Sequence, residues 1–103
     1  MQTISSTGGK PLEFNPAVGE ISREVIAPTE RVAWLHTLAD EPGARFDIKI
    51  KDALGRVKFE KNNCGTDHKA FGELINMPTT VGEKLNVSIE NLKGAKKLNV
   101  FIN

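Results

Sequence analysis

The sequence predicts an all-β protein: a single antiparallel β-sandwich of about seven or eight short strands, jelly-roll or Ig-like, with no substantial helix. Three observations lead there. Apolar residues alternate strictly with polar ones at Phe46-Ile48-Ile50, Leu85-Val87-Ile89 and Leu98-Val100-Ile102, and side chains two apart share a strand face. Turn-forming clusters separate these runs at short, regular intervals. No stretch holds its apolar residues on a 3.6-residue period.

Residues 1–17, MQTISSTGGKPLEFNPA, are polar and broken by Gly8-Gly9, Pro11 and Pro16. They read as an extended N-terminal arm or short edge strand, distinct from a sandwich domain over residues 18–103. Ile4, Leu12 and Phe14 are its large apolar residues and its candidate partner contacts. In residues 18–26, Ile21 and Val25 alternate with Ser22 and Glu24, which predicts a strand facing inward at Ile21 and Val25. In residues 31–38, Val32, Trp34, His36 and Leu38 fall on one face, with Ala33, Leu35 and Thr37 on the other. Trp34 is the sole tryptophan, and its alternation with Val32 and Leu38 favours core packing over an exposed ring platform for a sugar or a single-stranded nucleic acid. Asp40-Glu41-Pro42-Gly43 then turns the chain.

Residues 44–61, ARFDIKIKDALGRVKFEK, form the clearest hairpin. Phe46, Ile48 and Ile50 make an apolar face, and Val57 and Phe59 resume it after the break at Asp52-Ala53-Leu54-Gly55. Gly55 suits the turn because it accepts positive φ. The opposite face carries Arg45, Asp47, Lys49 and Lys51 with Arg56, Lys58, Glu60 and Lys61. It leans basic, and Arg45, Lys49 and Lys51 are candidate contacts for an acidic partner surface. Residues 62–69 show no apolar period and read as a loop. Residues 70–76 predict a strand with Phe71, Glu73 and Ile75 opposite Gly72 and Leu74. Residues 84–91 and 97–103 both begin Lys-Leu-Asn-Val and give the last two strands. Phe101 points outward from the second of these, where the sequence ends, and is a further candidate partner contact.

Composition narrows the function. With 103 residues the chain makes one domain. Its formal charge of +1 lacks the basic excess that nucleic-acid binders show. One cysteine permits no internal disulfide. No run approaches the ~20 apolar residues of a membrane span. The first residues lack the apolar core of a signal peptide, so synthesis in the cytoplasm is expected.

Few residues offer chemistry. Cys64, Asp67 and His68 lie close together, yet a structural zinc site wants four ligands and a catalytic cysteine wants a base held in place. Asp40, Glu41, Asp52 and Asp67 sit in turns, where carboxylates bind Ca²⁺ but also cap their own backbone. The sequence therefore names no catalytic residue, no metal ligand and no cofactor. The expected function is a non-enzymatic structural protein, a small virion protein of the phage capsid decoration or cement type. It would bridge neighbouring subunits through its arm and sheet surfaces, with other protein subunits and copies of itself as partners and neither nucleic acid nor membrane among them. The alternative is a carbohydrate- or calcium-dependent ligand-binding β-sandwich module.

Overall fold

Each alternating run becomes a strand that gives one row of side chains to a shared core. The computed structural model describes residues 12–27, 30–65 and 67–102. Its strands are β1 (Leu12–Phe14), β2 (Ser22–Ile26), β3 (Arg31–Ala39), β4 (Arg45–Asp52), β5 (Val57–Cys64), β6 (Ala70–Pro78), β7 (Lys84–Lys93) and β8 (Leu98–Ile102). They form two four-stranded sheets, ordered β1-β8-β3-β6 and β2-β7-β4-β5. Every pairing is antiparallel. The expected antiparallel sandwich is the observed fold. Among the described residues the helical content is one 3₁₀ turn, Pro16–Val18, and no helix is long and apolar enough to cross a membrane.

The inner rows meet between the sheets. Leu35, Leu98, Val100 and Ile102 come from one side, and Phe46, Ile48, Ile50, Leu85, Val87 and Ile89 from the other, all buried. Burying an aliphatic side chain of this size contributes ~1.5–3 kcal/mol. The β4–β5 turn is tied by Asp52. Its Oδ1 accepts the N–H groups of Leu54 and Arg56, each at 2.9 Å, and its Oδ2 accepts Arg56 Nε at 2.8 Å. Gly55 closes the turn at φ +82°.

The short edge strand read within residues 1–17 is β1, at the edge of its sheet, and four other expectations change on contact with the fold. Leu12–Phe14 pairs with β8, and Phe14 is buried because its register partner is the core residue Leu98. Ile4 lies outside the described residues. Ile21 is exposed rather than inward. An Asn15–Glu20 bridge turns the chain just before it, and regular β2 pairing starts only at Ser22.

Val57 is also exposed, although the hairpin alternation turns it inward. The β4–β5 register shifts between Ile50 and Lys51, so Phe59 stays opposite Ile50 while Val57 moves opposite the outward Lys51. Lys61, expected on the charged face, pairs with the inward Ile48 instead. Its Nζ reaches across to the Glu73 carboxylate on β6 and lies 5.7 Å from the Phe71 ring centroid. This contact joins the two sheets where their β5 and β6 edges run side by side.

The fourth change matters most. The β3–β6 register shifts between Val32 and Trp34. Val32 and Leu35, three residues apart, both face the core, and the alternation restarts from Leu35 with Thr37 and Ala39 buried. Trp34, His36 and Leu38 are therefore turned to the outer surface. Trp34 is 43% exposed and Leu38 44%. The expected placement of Trp34 in the core is corrected.

Candidate ligand-binding face

The two outer faces of the sandwich differ in chemistry. On the β2-β7-β4-β5 sheet the outer side chains are charged and largely paired. Lys49 Nζ lies 3.5 Å from Glu60, and Arg45 Nη2 lies 3.2 Å from Asp67. Asp47 accepts the Asn63 N–H and the Asn91 side-chain amide, each at 2.8 Å. Those two hydrogen bonds, the backbone one first, hold its carboxyl below the usual carboxylate range. Lys51 is half-buried in the same sheet. The partner-contact candidates Arg45, Lys49 and Lys51 thus sit together on this face.

The outer face of the β1-β8-β3-β6 sheet is apolar and aromatic. Register assembles it in rows, because residues paired across antiparallel strands share a face. Trp34 on β3 stands opposite Leu74 on β6. The next row joins Gly72, His36 and Phe101 across β6, β3 and β8. The third joins Ala70, Leu38, Asn99 and Glu13 across all four strands. The Trp34 and His36 rings stack with centroids 5.8 Å apart and planes 23° from parallel. Leu74 is 51% exposed.

A shallow hollow of about 390 Å³ lies over the middle rows, with His36, Leu38, Ala70, Gly72 and Phe101 around it. Gly72 helps create that space. A Cβ on residue 72 would lie 3.1 Å from His36 Nδ1. Phe101, the outward candidate of the sequence, lines this hollow and is half-buried there. Leu12 is partly buried against the core from the other side of the sheet. Of Trp34, His36, Leu38, Gly72 and Leu74, the sequence offers Trp34 alone as a ring platform, and then as the lesser reading. The one signal for them was a lone tryptophan beside a histidine in a strand, and the intact alternation argued against it.

The reactive and metal-ligating candidates separate. Cys64 is buried, and burial pushes its thiol up to about 11. A thiol so protonated is a poor nucleophile. Among the described residues no three His, Cys, Asp or Glu side chains gather as a metal site would require. The turn carboxylates serve their own loops. Asp40 Oδ1 accepts the N–H groups of Lys96 and Lys97 at 3.0 and 3.1 Å, Asp52 ties its hairpin, and Asp67 meets Arg45.

No protein-family model and no curated protein matches the chain. Solved structures do resemble it. The family 32 carbohydrate-binding module of Streptococcus pneumoniae EndoD superposes with a TM-score of 0.52 at 14% identity, over 98% of this chain and 79% of that one. A mutant of the lectin binding domain of Lectinolysin, complexed with Lewis b, superposes with a TM-score of 0.51 at 12% identity, over 89% of this chain and 68% of that one. A fucose binding module of Streptococcus pneumoniae gives a TM-score of 0.45 at 13% identity, over 80% of this chain, and the chain spans 64% of its length. The expectation of a capsid decoration or cement protein is corrected by this result. It rested on fold-level analogy, and the analogy found by superposition leads to sugar-binding modules. The chain shares the jelly-roll-like sandwich of carbohydrate-binding modules.

Proposed function

We propose that this chain is a carbohydrate-binding module, and that it holds a saccharide without transforming it. The observation that carries the reading is Trp34, turned out to water at the head of an aromatic sheet face. A soluble domain rarely leaves contiguous apolar surface uncovered unless something binds there. Sugar rings present apolar C–H faces edged by hydroxyls. An indole stacked on an imidazole offers a flat platform for such a face, and the hollow beside it gives the ring a lateral seat. The fold likeness to sugar-binding modules supports the same reading.

The test is a titration of the full chain with a panel of neutral mono- and oligosaccharides, followed by Trp34 emission. Trp34 is the sole tryptophan, so the signal reports this face alone. Saturable quenching or a blue shift is expected for at least one sugar. Trp34→Ala should abolish binding measured by calorimetry while the domain stays folded by circular dichroism. Undiminished sugar binding by Trp34→Ala would reject the face as the site.

A further inference from the structure

A second hollow, of about 470 Å³, begins on the other side of Leu38. Leu38 lines both. The second hollow lies where the end of β1, the β3–β4 turn and the β7–β8 turn converge. Beside the apolar Phe14 and Ala39, its walls carry the polar groups of Glu13, Asn15, Asp40, Lys97 and Asn99. From Trp34 to Leu38 alone the face runs ~13 Å along β3, taking about 3.3 Å per strand residue. That is longer than one sugar ring, and the polar hollow continues past it.

The charge of the second hollow is also informative. Glu20 is neutralised by Arg23, whose Nη2 lies 2.5 Å away. Among the described residues that line the hollow, Glu13 and Asp40 then face one cation, Lys97. The Lys97 and Lys96 N–H groups hold the Asp40 carboxyl below the usual carboxylate range, so it stays ionised at neutral pH. Among the described lining residues the charge balance is negative. Carboxylates accept hydrogen bonds from hydroxyls and side-chain amides both accept and donate them, whereas a carboxylate repels an anion.

We infer that the two hollows form one trough on either side of Leu38, and that it holds a neutral oligosaccharide of at least two rings, one over the aromatic rows and the next among Glu13, Asn99 and Lys97. The inference rests on the carbohydrate reading above and adds chain length and charge to it. Uronic-acid oligomers are disfavoured at the second hollow.

The experiment is calorimetric titration of the full chain with gluco-, galacto-, manno- and xylo-oligomers from monomer to tetramer, and with oligogalacturonates. For the sugar that binds, affinity should rise about tenfold from monomer to trimer, or ~1.4 kcal/mol. Glu13→Ala, at an exposed position, and Asn99→Ala, at a half-buried one, should shrink that gain towards none. Equal affinity for monomer and trimer would overturn the two-hollow trough and leave the carbohydrate reading intact. Preference for oligogalacturonate would overturn the charge argument. Failure of every sugar to bind would remove both.

Discussion

Replacing Gly72 with alanine tests the aromatic face at its tightest point. Gly72 is exposed on β6 and lies directly opposite His36 on β3 in register. The added Cβ would meet His36 Nδ1 at 3.1 Å and Cε1 at 3.5 Å. Such a contact is closer than a carbon and a ring nitrogen normally approach, so the imidazole must shift by a few tenths of an ångström. Two terms set the effect on stability. Removing glycine from a strand lowers the entropy of the unfolded chain and stabilises by ~0.4–1 kcal/mol. Forcing His36 off its rotamer costs ~0.5–1.5 kcal/mol. They nearly cancel, and the net change should lie within about 1 kcal/mol of zero, or a few degrees in melting temperature.

Binding should not be neutral. The methyl fills part of the hollow and disturbs the ring stacked on Trp34, and a tenfold loss of sugar affinity, ~1.4 kcal/mol, is expected. The assay is urea unfolding followed by circular dichroism, with sugar titration of the same preparation. Wild-type affinity in Gly72→Ala would refute a role for the hollow. A destabilisation above ~2 kcal/mol would show that His36 cannot yield, and that this face is a packed layer rather than an open one.

Two further outcomes follow from the charge and burial of single groups. Asp52 and Glu83 both have carboxyls held below their ordinary values, Asp52 chiefly by the Arg56 N–H and Glu83 chiefly by the Thr80 N–H. A depressed folded pKa gives stability that is complete above the unfolded values, 3.8 and 4.5, and is lost as pH falls through the folded ones. The urea midpoint should therefore drop on acidification below those values, and Asp52→Asn should flatten that limb; an unchanged acid limb would contradict the assigned hydrogen bonds. Cys64, buried with its thiol raised to about 11, should react with iodoacetamide at pH 8 only when the domain opens, and labelling of native protein as fast as of urea-unfolded protein would contradict its burial.

Much of the fold is readable wherever alternation runs unbroken. In β4, β7 and β8 the inward residues Phe46-Ile48-Ile50, Leu85-Val87-Ile89 and Leu98-Val100-Ile102 are the expected ones. Side-chain period alone decides them, because a one-residue slip would turn every apolar group to water. The reading fails where register shifts. The break between Val32 and Trp34 moves Trp34 from core to surface, and the one between Ile50 and Lys51 does the same to Val57. A register shift depends on the partner strand, which lies far away in the chain, so no local pattern marks it. The candidate site is invisible for the same reason. Gly72, His36 and Phe101 are 36 and 65 residues apart along the chain from His36 to Gly72 and Phe101, and only strand pairing sets them in a row. Glu13, Asn99 and Leu38 meet likewise. The basic strand face, by contrast, was visible in the sequence because it lies within one hairpin.

The most direct measurement is a nuclear magnetic resonance titration of isotope-labelled protein with the sugar that quenches Trp34. Shifts should concentrate on the Trp34 indole and on Gly72, Leu38 and Phe101, with the amides of Lys49 and Lys51 unmoved. Shifts centred on the β4–β5 face, or none at saturating sugar, would contradict a saccharide seated on the aromatic sheet.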